Sequence, residues 1–210
     1  MMIDFSAAIQ RHNMKIKGVI QVGAHHGQEY DYYVKCRIEP IVFIEPLAEA
    51  FKILKEKFSN STNVFLFNCA CGDYETKAKM YVDTNNKGMS SSLLKPKEHL
   101  VEYPTIPFDK EELVPVRRLD NLPIHRSLFN LLVMDVQGTE LMVLLGAPET
   151  LEHIDYIYTE INTKELYEGG VFLHELDAFL NQFDRVETKE VPHKGWGDAI
   201  YIRKTKKNNV

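Results

Sequence analysis

Small and acidic residues recur where apolar runs of this chain end. Val19–Val22 breaks into Gly23-Ala24-His25-His26-Gly27, and the run Ile41–Ile44 ends on Glu45-Pro46. In an open parallel sheet, a glycine turn after one strand lets a ligand approach bare backbone. The helix start that follows offers unpaired N–H groups, and an acid on the next strand can accept from both hydroxyls of a ribose. Gly23, Ala24, His25, Gly27, Glu45 and Pro46 are therefore read as a nucleoside cradle. The two glycines stand four apart with imidazoles between them, unlike the G-x-G-x-x-G turn on which a pyrophosphate rests. That spacing favours an amino-acid-bearing nucleoside such as S-adenosylmethionine over a dinucleotide.

Further candidates come from the other strand ends. Asn68, Cys69, Ala70 and Gly72 open a turn after Val64–Asn68 and lie where an adenine ring would sit, although Gly72-Asp73 is also ordinary turn chemistry. Asp135 ends the apolar run Phe129–Met134 beside Gly138, at the mouth of the cleft, where it can position or deprotonate a hydroxyl. Glu140 falls in the first turn of the next helix, where capping alone also explains an acid. Glu160 and Asn162 are two apart on a strand and share a face. With Asp135 they form an oxygen-rich set that can hydrogen-bond a polyol or hold Mg²⁺, and the metal-free version is favoured. His26 and Glu160 are rival bases to Asp135. Trp196, alone between Gly195 and Gly197, offers a flat platform for a sugar ring or adenine, and Asp198 can accept from hydroxyls. A helix-start carboxylate at Glu45, a packed and an exposed imidazole at His25 and His26, and a loop plug at Trp196 are the structural alternatives.

The elements that must hold these groups alternate. Asp4–Met14 fits a short helix. Strands over Val19–Gly23, Ile41–Glu45 and Val64–Asn68 enclose helices over Gln28–Lys35 and Ala48–Phe58, a βαβαβ start with right-handed crossovers. Lys77–Val82 and Val114–Arg118 alternate like antiparallel or edge strands. Between them Asp83–Leu113 reads as a long structureless segment, assigned to substrate recognition through Ser90, Ser91 and Ser92. A strand to Met134, a helix over Gly138–Leu145, a strand over Tyr156–Ile161, a helix over Leu173–Phe183 and a closing pair, Arg185–Val191 with Ala199–Arg203, complete the chain. Trp196 lies in the turn of that pair.

Length and composition bound the rest. A chain of 210 residues, 44% hydrophobic and 26% charged, suits one soluble domain, with residues 1–17 as an N-terminal helix and 204–210 as a fraying tail. A net charge of −5 provides no field for nucleic acid or an anionic membrane. Cys36, Cys69 and Cys71 read as reduced thiols. With no signal-like segment and no run near about 18 apolar residues, the expected location is the cytoplasm.

The motifs coincide in one order. Leu132-Val133-Met134-Asp135-Val136-Gln137-Gly138-Thr139-Glu140-Leu141, continuing to Leu144-Leu145-Gly146-Ala147, resembles the central block of the FkbM-type S-adenosylmethionine-dependent methyltransferases. Val22 to Gln28 is similar to that family's cofactor turn, and Glu45-Pro46 to its ribose-binding acid. The resemblance spans roughly 19–203. It implies a Rossmann-like class I methyltransferase: an α/β fold with a mainly parallel seven-stranded sheet, helices on both faces and a C-terminal antiparallel hairpin. It also implies methyl transfer from S-adenosylmethionine to an oxygen, often of a sugar, glycan or other hydroxylated small molecule. Ser90 to Ser92, Gln137, Asn162, Trp196 and Asp198 would then face the acceptor. Two residues depart from the family pattern: Gln21 stands where many members carry Asp, and Gln137 where Glu is commoner. A nicotinamide oxidoreductase and a non-catalytic nucleoside-binding module are the other readings.

Overall fold

The computed structural model describes residues 1–205. The chain runs α1 (Phe5–Arg11), β1 (Val19–Val22), α2 (Tyr30–Lys35), β2 (Ile41–Ile44), α3 (Ala48–Lys57) and β3 (Val64–Phe67). There follow β4 (Ala70–Cys71), β5 (Thr76–Val82), α4 (His99–Glu102) and β6 (Lys110–Arg117). The last part comprises β7 (Leu131–Met134), α5 (Glu140–Leu145), α6 (Pro148–Leu151), β8 (Tyr156–Asn162), α7 (Leu173–Phe179), β9 (Phe183–Glu190) and β10 (Trp196–Arg203).

Seven strands form one sheet in the order β3-β2-β1-β7-β8-β10-β9. The five strands from β3 to β8 are parallel, and β10 runs antiparallel to both neighbours. This is the expected mainly parallel sheet with its C-terminal hairpin. The order of connection reverses between β1 and β7, so the crevice at their carboxyl ends is the switch point where open α/β sheets bind ligands. Alternation along the strands sends side chains to opposite faces. Ile20, Val22, Leu132, Met134 and Ile157 join the core under α5 and α7, while Val19, Phe43, Leu131, Val133 and Tyr158 pack against α1, α2 and α3. Gln21, Asp135, Glu160 and Asp198 share the parity of that second face, so the sheet brings them to one side.

Two sequence expectations change and one is extended. Lys77–Val82 and Val114–Arg118 fall at β5 and β6, which pair antiparallel as expected and, with β4 parallel to β6, form a three-stranded sheet separate from the main one. The alternation is real, but it turns Met80, Val82, Val114 and Val116 onto Leu47 and Ala50 instead. Residues 83–109 are not structureless, and 110–113 belong to β6. Buried Asp83 accepts from the backbone N–H groups of Asn86, Gly88 and Ser90 at 2.8, 3.1 and 2.7 Å, which folds the segment on itself. Finally, α5 starts at Glu140 because Gln137 and Gly138 adopt left-handed backbone (φ 54° and 95°), which a helix cannot contain. Of the tail expected to fray, residues from 206 onward lie outside the described residues. No described helix is long and apolar enough to cross a membrane.

Candidate active site

Gly23 follows β1 with φ 81°, and a Cβ there would lie 1.9 Å from the carbonyl oxygen of Asp135. Only glycine lets the turn after β1 pass so close to the end of β7. Its N–H and that of Ala24 donate to the Ile44 carbonyl at 3.0 and 3.1 Å, tying the turn to β2. Glu45 is buried at the end of β2, and its carboxylate accepts from His25 N–H at 2.8 Å and Leu47 N–H at 2.9 Å. Burial outweighs those two bonds and pushes its carboxyl up from 4.5 to about 7. Asn68 donates to the carbonyls of Glu45 and Pro46 at 2.9 and 3.1 Å and so sets the bend that carries the acid.

These residues wall a hollow of about 240 Å³. Gly23, Ala24, His25, Glu45 and Pro46 line it on one side, and Ala70, Cys71, Met80 and Leu93 supply an apolar side. Gly27, Cys69 and Gly72 are not brought to it. A Cβ on Gly27 would press on Leu54 and Phe58, Cys69 is core, and a Cβ on Gly72 would meet Val116. The three serve packing. His25 has both ring nitrogens engaged: Nε2 lies 2.7 Å from the Lys87 carbonyl and Nδ1 2.8 Å from the Gln28 amide. The carbonyl can only accept, so Nε2 carries the proton, and His25 fastens segment 83–109 to the turn. His26 stacks on His25, 3.7 Å between centroids, and faces a separate hollow beside α3 with Glu49 and Lys87.

A second hollow, about 280 Å³, adjoins the first. Asp135, Gln137, Met1 and Met89 line both. Gln137 is the hinge of the arrangement: its amide nitrogen donates to Asp135 Oδ1 at 2.8 Å and Glu160 Oε2 at 2.9 Å, while its Oε1 lies 2.7 Å from the Tyr167 hydroxyl. Ser92 Oγ donates to the Gln137 carbonyl at 2.7 Å. Buried Glu140 accepts from the Val136 and Gly138 N–H groups, both at 3.3 Å, which lie in the turn before α5 and not in the helix, and its Oε2 is buried without a partner. Burial raises its carboxyl to about 7. Burial raises Glu160 well above the usual carboxylate value, with Asp135, Glu140 and Asp198 adding to the effect, and desolvation by the surrounding protein also raises Asp135, whose side chain stays open to the hollow. The upward shift favours the protonated carboxyl, which can donate a hydrogen bond as well as accept one.

The serines divide. Ser90 lines the second hollow, Ser91 the first, and Ser92 lines neither, its hydroxyl supporting Gln137 and accepting from the Leu94 N–H at 3.0 Å. Trp196 is not in a turn but opens β10. Its indole N–H donates to the Tyr103 hydroxyl at 2.7 Å, and it does line the second hollow. Asp198 lines it too, with its carboxylate taken by the Tyr158 hydroxyl and the Met2 N–H. Asn162 is buried, its amide without a partner, and lines neither hollow. Among the described residues, no group of three or more His, Cys, Asp or Glu side chains could hold a metal ion.

Two groups at these hollows escaped sequence reasoning. Glu29 lines the first. His99 lines the second, wedged among Tyr103, Phe108 and Tyr167 at centroid distances of 5.1, 5.1 and 5.5 Å. Its Nδ1 is buried without a partner, and burial lowers its pKa. Both sit outside strand ends, where residue type alone gives no signal.

A sequence profile described as the methyltransferase FkbM domain matches residues 21–187. The chain belongs to the FkbM methyltransferase family. This FkbM methyltransferase is 31% identical over 196 residues to a protein named 2-O-methyltransferase NoeI, from Sinorhizobium fredii, covering 90% of this chain and 79% of the relative. Its fold is that of a solved SAM-dependent methyltransferase from Aquifex aeolicus, at TM-score 0.51 and 13% identity over 95% of this chain and 89% of that one. Streptococcus pneumoniae Sp1610, solved in complex with S-adenosyl-L-methionine, is similar at TM-score 0.51 and 10% identity, over 97% and 73%. S-adenosylmethionine is the methyl donor. The first hollow fits it: bare backbone at Gly23–Ala24, an acid at Glu45 and an apolar wall for a purine.

Proposed function

We propose that this FkbM methyltransferase methylates a hydroxyl of a sugar, glycan or related small molecule. The observation that carries the proposal is that two hollows, one suited to the donor and one walled by polar and aromatic side chains, meet at Asp135 and Gln137. The name of the 31% identical relative, a 2-O-methyltransferase, supports oxygen as the acceptor atom. In this reading Gly23, Ala24, Glu45 and Pro46 hold the nucleoside, with the Glu45 carboxylate accepting from ribose hydroxyls. When bound, the donor supplies a methyl group on a good sulfonium leaving group. The chain's residues must align the acceptor oxygen about 3 Å from that carbon and take its proton. Asp135, at the junction, orients the hydroxyl and accepts the proton. Trp196 and Ser90 shape the acceptor side.

His99 is a second base candidate, favoured by an imidazole on the acceptor wall that burial keeps neutral. The test is incubation with methyl-labelled S-adenosylmethionine and a glycan panel, with and without chelator. Label should enter an alkali-stable ether regardless of chelator. Asp135→Asn should lower turnover about 100-fold or more while S-adenosylhomocysteine affinity is kept. If His99→Asn carries the loss and Asp135→Asn does not, the base is the imidazole. Donor binding without transfer to any acceptor contradicts the proposal.

A further inference from the structure

Gln21 leaves β1 without the acid that many family members carry there, and an ammonium offers three donors and no acceptor, so a carboxamide is a poor substitute for a carboxylate. The structure shows what Gln21 does instead. Fully buried Tyr33 donates its hydroxyl to Gln21 Oε1 at 2.8 Å, which turns the amide nitrogen toward Glu29 Oε2 at 3.0 Å. Gln21 is itself 2% exposed, so the relay from Tyr33 to Glu29 runs through the interior and fixes the carboxylate. Glu29 occupies the position before α2, yet its side chain makes no capping bond to that helix. Glu29 instead lines the first hollow, as Gly23 and Asp135 do. The remaining oxygen, Oε1, lies 4.0 Å from the Met1 nitrogen, beyond hydrogen-bond distance.

We infer that Glu29, held by Gln21 and Tyr33, is the carboxylate that binds the α-ammonium of the methionyl part of S-adenosylmethionine. The acid has moved from the strand to the turn eight residues later, and the strand position keeps a neutral donor that orients it. The inference rests on the first hollow being the donor site. Glu29 is a binding residue, and the reacting methyl group does not touch it.

Titration calorimetry with two nucleosides tests it. S-adenosylhomocysteine carries the amino-acid part and 5′-methylthioadenosine lacks it. Glu29→Gln should weaken S-adenosylhomocysteine about 10- to 100-fold, the loss of a charge-assisted contact, and leave methylthioadenosine unchanged. Gln21→Glu combined with Glu29→Gln, which returns the charge to the strand, should recover at least about tenfold of that loss. Equal affinity of Glu29→Gln and wild type for S-adenosylhomocysteine overturns the inference, as does equal weakening of both nucleosides. Wild type that binds neither nucleoside overturns the donor-site reading, and this inference with it.

Discussion

Replacing Glu45 by Gln separates stability from donor binding and fixes the sign of each. The carboxyl of Glu45 rises from 4.5 to about 7 on folding because it is buried at the end of β2. The folded state therefore holds its proton more tightly than the unfolded state. The favourable contribution of this group is complete below pH 4.5 and is lost as pH rises through about 7. The full difference is worth about 3 kcal/mol at alkaline pH, at roughly 1.4 kcal/mol per pH unit. An amide never ionises, so Glu45→Gln escapes that cost. Between pH 5 and pH 8 the variant should gain about 2 kcal/mol relative to wild type, or about 4–8 °C in melting temperature for a chain of this size. The amide nitrogen confronts the N–H of His25 or Leu47, which lowers the variant's curve at every pH without changing this slope. In the same protein S-adenosylhomocysteine should bind about 10- to 100-fold more weakly, because the charged acceptor for the ribose is gone. Thermal unfolding of both proteins from pH 5 to pH 8, with calorimetry at pH 8, reads both effects. Melting curves that stay parallel across this range would refute the reasoning about burial, and unchanged affinity would refute the ribose contact.

Other substitutions probe the scaffold. Gly23→Ala should cost about 2–5 kcal/mol in chemical denaturation, since the left-handed backbone and the Asp135 carbonyl both oppose a Cβ. Gly169→Ala is the control: it is also left-handed, but a Cβ there meets nothing within 4 Å, so it should cost only about 1–2 kcal/mol. Gln137→Glu places a carboxyl at 2.8 and 2.9 Å from two others, which raises its folded pKa above its unfolded one. Its stability should match wild type most closely at pH 5 and fall by at least about 1 kcal/mol by pH 8; a pH-independent difference would contradict this crowding of carboxyls.

The centre of the main sheet was legible because β1, β2 and β7 are short apolar runs closed by a glycine or an acid, and parity alone set which side chains share a face. Glu45 and Asp135 were legible for the same reason: an acid that ends an apolar run has few places to go except the carboxyl edge. The three-stranded sheet was not, because alternation at Lys77–Val82 reports a half-buried strand without naming its partner. Segment 83–109 looked structureless since its order comes from Asp83 gathering N–H groups and from Ser92 reaching Gln137, 45 residues away. Gly27 and Gly72 were read as ligand-facing, yet the space beside them is filled by packed side chains, which glycine spacing cannot distinguish. The turn assigned to Trp196 was displaced because β10 begins three residues before Ala199, where the continuous apolar run starts. Glu29 and His99 were invisible for a common reason: neither ends a strand, and what marks them, a bond from Gln21 in one case and three packed aromatic rings in the other, is a contact that sequence pattern does not report. Family membership resolves the choice between a methyl donor and a nicotinamide, which spacing had left open.

The central claim is that donor and acceptor meet at Asp135, with the nucleoside in the hollow between Gly23 and Glu45. A crystal structure with S-adenosylhomocysteine tests it most directly. The account predicts ribose hydroxyls on the Glu45 carboxylate, the amino group on Glu29 and the sulfur at the Asp135–Gln137 junction, open toward the hollow of His99 and Trp196. Ligand density in any other hollow, or a sulfur turned away from Asp135, would contradict it.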